Sequence, residues 1–323
     1  MHLRILHRTR YRYHGNIDMA QHMVHLQPAN TPSQRVLAHE LRIDPEPAAR
    51  SETTDVFGNE RTFFSLQSSH NMLTVEADSL VDTQAPRPLP ESPPWRGQTW
   101  ERVREHFRYR AQAPFDPASE FLFASPYVPR DDAFAAFARP AFKAGRPMLE
   151  AARALMERIH TELTYESDST EVNTPALDAL AQGKGVCQDF AHIMLGCLRS
   201  LGLPARYVSG YLLTRPPPGK PRLIGADASH AWVSVYVPLP DDATQGGSSG
   251  AWFDFDPTNN RCGWGSPGED YVSLATGRDF SDVSPMRGVI QSGARHTLAV
   301  AVTVAPPQEF HAIGGTEGTP SIE

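Results

Sequence analysis

Acyl transfer through sulfur needs a cysteine, a base to take its proton and a group to hold that base. The chain carries these in three separate blocks: Cys187 in GKGVCQDFAH (183–192), His230 in SHAWVSVYV (229–237), and Asp254 and Asp256 in WFDFDP (252–257). In such a set an imidazole takes the thiol proton, the sulfur attacks a carbonyl carbon, and the imidazolium then protonates the leaving amine while a carboxylate orients the ring. Gly183 and Gly185 deliver Cys187 to a helix start, where unpaired N–H groups and the positive end of the backbone dipole favour an anionic sulfur.

These residues work together only if the elements around them bring them close. Val186, Phe190, Met194, Leu195, Leu198 and Leu201 recur at helical spacing, so the cysteine helix buries one face. Alternation over 230–237 puts His230, Trp232, Ser234 and Tyr236 on one face of a strand, and Trp252, Asp254 and Asp256 share a face of the next. Antiparallel neighbours then bring His230 beside one of the two aspartates, and spacing alone leaves both open. Trp232 and Trp252 either wall a cleft or fill a core.

Residues 1–85 read as a small all-β domain. Leu3, Ile5, His7, Thr9, Tyr11 and Tyr13 alternate with Arg4, Arg8, Arg10 and Arg12, as in a strand with one solvated side, and Gly15-Asn16 offers a turn. A second strand over 36–44 places Leu37, Leu41 and Ile43 together. Gly58-Asn59 signals a hairpin, and 72–81 gives a further strand, bulged near Asp78-Ser79. Residues 86–98, with Pro86, Pro88, Pro90, Pro93 and Pro94, form a semi-rigid linker. A catalytic core spans 99–305, opening with short helices over 99–109 and 131–137. An amphipathic helix at 148–163 and a helix starting at Thr174-Pro175 come next, and the core closes on a strand at 296–306 with Leu298, Val300, Val302 and Val304 on one face. Residues 306–323 read as a frayed tail.

Composition narrows the function classes. A chain of 323 residues with 40% hydrophobic and 21% charged residues is globular, and its formal net charge of −7 argues against a nucleic-acid-binding surface. Cys187, Cys197 and Cys262 make no C-x-x-C pair, and no phosphate loop or zinc helix occurs, so neither metal nor cofactor is expected. The opening MHLRILHRTR lacks the apolar core of a signal peptide, and the expected location is cytoplasmic, without membrane attachment.

The blocks GVCQDFAHIMLGCLRSLGLPARYVSGYL, DASHAWVSVYVP and WFDFDPTNN resemble those of the bacterial transglutaminase-like superfamily. HRTRYRYHGNI and DVFGNERTFFSL resemble the β-rich N-terminal domain that precedes that core in bacterial members. The resemblance implies an α+β fold with a papain-like core, one helix packed on an antiparallel sheet. It places the nucleophile on Cys187, the base on His230 and the acid on Asp256, with Asp254 as the rival. Gln188 follows the cysteine where animal transglutaminases carry tryptophan, and no EF-hand loop is present. The implied activity is hydrolysis of a peptide, protein or amide substrate through a thioester. Transamidation to an amine, or a non-catalytic scaffold using the same groove, are the alternatives.

The remaining candidates take lesser roles. His192 falls off the cysteine's helical face and reads as a packed bystander, Cys197 as structural, and Cys262 as a loop residue without a role. Asp189 sits in the first helical turn as a support for the site. Tyr165 and Gln182 are candidate oxyanion donors beside the Cys187 N–H.

Overall fold

The computed structural model describes residues 1–91, 94–112, 114–166, 174–214, 229–239, 250–291, 293, 295–312 and 321–322. The Pro-Pro-Pro-Gly stretch at 216–219, read from the sequence as a loop, lies outside these residues, as does 240–249 of the connection read over 238–250, whose ends Pro238 and Gly250 belong to strands.

The N-terminal region is built from β1 (His2–Ile17), β2 (Ala20–Val24), β3 (Gln34–Asp44), β4 (Ala49–Thr54), β5 (Glu60–Leu66) and β6 (His70–Thr83). Alternation in β1 buries Leu3, Ile5, His7, Thr9 and Tyr13. Two arginines of the opposite face are held by acids of β6, Arg4 by Asp78 at 2.6 Å and Arg8 by Glu76 at 2.7 Å. The Gly15-Asn16 turn is not found: β1 runs through it with a register irregularity between Arg12 and Ile17, and after Asp18-Met19 the chain enters β2 in a different sheet. The bulge expected at Asp78-Ser79 lies instead in β3, between Val36 and Ala38. It turns Leu37 outward, 43% exposed, away from buried Leu41 and Ile43. The hairpin at Gly58-Asn59 forms, with Thr54 opposite Glu60 and Gly58 at φ +85°.

Residues 84–91 hold no regular element beyond an isolated bridge from Arg87 to Trp264, and the linker is docked: the Arg87 guanidinium lies 3.9 Å from the Trp264 ring centre, and Trp95 packs edge-on against Phe253. Then come α1 (Trp100–His106), α2 (Asp132–Ala138), α3 (Met148–Glu162), β7 (Thr164–Tyr165), α4 (Ala176–Gln182), β8 (Lys184–Gly185) and α5 (Cys187–Ser200). Pro175 is the residue before α4 rather than its first, one place later than expected. The core sheet follows as β9 (Ala205–Leu212), β10 (Ser229–Pro238), β11 (Gly250–Asp256), β12 (Arg261–Gly263) and β13 (Tyr271–Gly277), in the antiparallel order β12-β11-β10-β9-β13. Cys262 therefore lies in a short strand, not a loop, and β13 carried no reading in the sequence.

Helix α5 lies on one face of this sheet. Phe190, Ala191, Met194, Cys197 and Leu198 share a core with Ala231, Val233, Val235 and Val237 of β10 and Phe253 and Phe255 of β11. Each large apolar side chain buried there contributes roughly 1.5–3 kcal/mol, which holds α5 against β10, the strand that His230 opens.

The chain then returns. After α6 (Phe280–Val283), strand β14 (Met286–Ile290) pairs with β2, and β15 (His296–Ala305) pairs with β1 from Ala305 opposite Arg4 to His296 opposite Tyr13. The last strand expected in the catalytic core thus belongs to an N-terminal sheet. The tail is not wholly frayed: α7 (Pro307–Ala312) follows, and β16 (Ser321–Ile322) pairs with β15. Sheets β16-β15-β1-β6-β3 and β14-β2-β5-β4 enclose a core that includes Tyr13, Ile17, Phe64, Leu66, Leu73 and Val75. A further apolar cluster joins Leu3, Ile5, Val81, Val302 and Val304 to Tyr211, Val272 and Leu274 of the core sheet.

Candidate active site

The loop that presents Cys187 is shaped by two glycines and one carboxylate. Gly183 closes α4 in the left-handed conformation at φ +68°. Gly185 then passes so close to Asp189 that a Cβ would lie 2.7 Å from both its Cβ and its Oδ2. That proximity lets Asp189, itself buried, accept the Val186 N–H at 2.8 Å and cap the start of α5. The expected support role of Asp189 thus has a concrete form, and Cys187 begins the helix, half-buried.

His230 opens β10 opposite Gly210 of β9. A side chain at Gly210 would meet the Val272 carbonyl at 2.1 Å and the Trp232 ring at 2.6 Å, so glycine gives Trp232 room beneath the histidine. The Trp232 ring centre lies 6.2 Å from that of His230, with the planes 29° apart. His230 Nε2 lies 2.7 Å from Asp256 Oδ2. This leaves Nδ1 free to face the cysteine.

Asp256 is fully buried and densely partnered. Besides His230 it accepts Thr258 N–H at 2.9 Å, Asn259 N–H at 3.3 Å, Asn259 Nδ2 at 2.7 Å and the Tyr271 hydroxyl at 2.6 Å. Burial pushes against its charge, but the donors, His230 foremost, hold its pKa below the usual carboxylate value. Burial likewise opposes the charge on His230. Asp256, with the Cys187 sulfur acting as hydrogen-bonding partner and as neighbouring charge, outweighs it and raises the imidazole to about 10.

Asp254 does not reach His230. It accepts the Trp232 indole N–H at 3.3 Å, and burial raises it to about 6 against the opposing charge of Arg206. Of the two aspartates spacing left open, Asp256 is the one at the histidine. Trp232 and Trp252 diverge: the first is fully buried beneath His230, and the second stacks with Arg206 farther along the sheet.

The other candidates are placed as follows. His192 is fully buried, stacked on Tyr127, and its Nε2 accepts the Phe280 N–H at 3.2 Å; burial lowers its pKa to about 3. Cys197 is buried, and burial pushes its thiol upward. Cys262 accepts a hydrogen bond from Arg153 at 3.4 Å. Tyr165 pairs across from Gly185 in a two-residue parallel ladder and is 52% exposed, whereas Gln182 is an exposed residue at the end of α4. Sequence reasoning missed Tyr271 and Asn259. Asn259 lies in the quoted WFDFDPTNN block, three places beyond Asp256, where an Asx-rich turn was the available signal. Tyr271 sits on the strand that carried no reading.

Residues 135–257 match the model of the transglutaminase-like superfamily, and residues 3–82 match that of the bacterial transglutaminase-like N-terminal region. An uncharacterized protein of Mycobacterium tuberculosis is 40% identical over 305 residues, covering 94% of this chain and 92% of the relative. One of Mycobacterium leprae is 31% identical over 306 residues, covering 94% and 98%. A crystal structure described as "a Putative Cysteine Protease from Cytophaga hutchinsonii" shares the fold, with a TM-score of 0.67, 23% identity, and coverage of 99% of this chain and 93% of that one. The chain belongs to the transglutaminase-like superfamily of cysteine enzymes, with the bacterial transglutaminase-like N-terminal region ahead of its core.

Proposed function

We propose that the protein hydrolyses a peptide or amide bond through a thioester on Cys187. The observation that carries this reading is His230, held at Nε2 by Asp256 and influenced by the Cys187 sulfur on its other side, with its pKa raised to about 10. The thiol proton passes to His230 Nδ1, and the sulfur attacks the carbonyl carbon. The carbon–nitrogen bond breaks as the imidazolium returns the proton to the leaving amine. A water molecule, deprotonated by the neutral imidazole, then cleaves the thioester and regenerates the thiol. The Cys187 N–H, at a helix start, is positioned to donate to the oxyanion. Transamidation differs only in the second step, where an amine replaces water.

The test is to trap the acyl-enzyme with a peptide-amide library, with and without an added primary amine, and to weigh donor and acceptor products. Acid products from the library, with no amine adduct, support hydrolysis, and an amine adduct on the acyl group supports transamidation. Iodoacetamide is expected to label Cys187 ahead of Cys197 and Cys262, with loss of turnover in Cys187→Ala. Equal labelling of all three thiols in the native protein, or full turnover by Cys187→Ala, overturns the reading.

A further inference from the structure

A second polar centre lies on the same sheet face as His230, away from Cys187. Arg206 of β9 is opposite Ser234 of β10, which is opposite Asp254 of β11. From His230 to Ser234 is four residues along β10, about 13 Å of strand. Arg206 lines a cavity of about 820 Å³ whose walls include Phe57, Phe121, Tyr236 and Trp252, with Phe115 at its mouth, 77% exposed. Phe57 comes from the tip of the N-terminal β4–β5 hairpin, so both regions of the molecule build the cavity.

The Arg206 guanidinium carbon lies over the Trp252 ring, 4.2 Å from the ring centre. The ring offers the cation a π face but no hydrogen-bond acceptor for its N–H groups. Its Nε is shielded from water and has no hydrogen-bond partner. Were Arg206 simply the counterion of Asp254, the two would pair. They influence each other's charge, yet no ion pair joins them among the described residues. A buried donor without an acceptor, at the wall of an aromatic cavity, is the arrangement expected before an acceptor-bearing ligand arrives.

Charge selects the class of ligand. Arg206 is the one cation among the cavity's described lining residues. Asp116 and Glu120 stand at the rim, and Asp254 lies behind. Asp116 is partly occupied, 3.1 Å from His106 and capping Ala118 N–H at 3.0 Å. A multiply charged anion such as phosphate meets more repulsion than attraction there, and a cation meets Arg206. A neutral apolar compound leaves the guanidinium edge unsatisfied. A single carboxylate matches the planar fork, and the rings match a flat apolar body.

We propose that this cavity is a second binding site, separate from the Cys187 centre, for a monocarboxylate on a flat apolar body, with the carboxylate received by Arg206. The carboxylate belongs either to a free aromatic acid or to the C-terminus of a peptide ending in an aromatic residue. The site stands independently of the activity assigned to Cys187.

The test uses the full chain carrying Cys187→Ser, titrated calorimetrically with 3-phenylpropionate, 3-phenylpropanamide, and Gly-Gly-Gly-Phe with a free or an amidated C-terminus. A free acid is expected to bind about tenfold more tightly than its amide. Arg206→Gln is expected to erase that preference. Phe115→Ala, at an exposed position that leaves folding intact, is expected to weaken binding about threefold while keeping the preference. Preference confined to the tetrapeptide names a peptide terminus, and preference for the small acid names a free acid. Equal binding of acid and amide, no binding of either acid at millimolar concentration, affinity unaffected by Phe115→Ala, or a preference that survives Arg206→Gln overturns the proposal. So does loss of binding when Cys187 of the wild-type chain is carboxamidomethylated, since that assigns the ligand to the active site.

Discussion

Two aspartates on one strand, a single residue apart and both buried, are shifted in opposite directions from the ordinary carboxylate pKa. Asp256, surrounded by His230, Asn259, Tyr271 and the turn N–H groups, is held below its ordinary pKa. Asp254, with the Trp232 indole N–H at 3.3 Å, a further contribution from Ser234 and an arginine that does not pair with it, is raised to about 6. Burial pushes both upward, so it cannot account for the difference; donors can. One end of the sheet face is saturated with hydrogen bonds around a fixed charge, and the other keeps an unsatisfied guanidinium beside a cavity. Saturation suits a group that holds one orientation through a catalytic cycle. Incomplete satisfaction suits a place that receives something from outside.

The comparison breaks most sharply if the two aspartates are exchanged in importance. Asp256→Asn is expected to lower kcat/KM roughly 10²–10⁴-fold, and Asp254→Asn to leave it within about threefold; steady-state kinetics on the substrate from the trapping experiment decides. With His230 raised to about 10, turnover is expected to fall as pH rises through that value, because the imidazolium that protonates the leaving amine is lost. In Asp256→Asn the same alkaline limb should move down by about one pH unit or more.

Smaller effects sharpen the contrast. Gly185→Ala drives a methyl group into Asp189, and loss of the cap is expected to cost about 1–2 kcal/mol in urea denaturation and to reduce kcat about tenfold. Tyr271→Phe removes one donor among several from Asp256 and is expected to lower kcat about three- to tenfold. At the other end, Arg206→Met with Asp254→Asn removes two buried charges that no ion pair joins; it should leave turnover unchanged and raise stability by about 1–2 kcal/mol, seen as a higher Tm. A destabilised double variant would show that the pair supports the fold.

Much of the catalytic end was legible because its signals are local. The apolar period from Val186 to Leu201 positioned the helix, alternation placed His230 and Asp256 on shared faces, and the motif blocks set their order. What stayed hidden depends on registers that no local pattern encodes. Tyr271 reaches Asp256 only because β13 pairs with β9, two strands removed from β11. Leu37 turned outward because one extra residue in β3 reversed the alternation. Valines 300, 302 and 304 announced a strand correctly, but their alternation fits any half-buried sheet. It could not say that the partner was β1, almost three hundred residues earlier.

That last pairing has a consequence in time. Strand β1 lies between β6 and β15, and its ladder with β15 runs from Arg4 to Tyr13. As the chain emerges from a ribosome, β6 can dock on β1 early, but the other edge of β1 waits until residue 305 is available. For most of synthesis, the backbone N–H and C=O groups of every second residue along a ten-residue stretch stand open on an alternating apolar strand, ready to template a stranger. The arginines beside that edge, Arg10 and Arg12 exposed among them, then act as gatekeepers, and their charge guards a seam that the chain closes last.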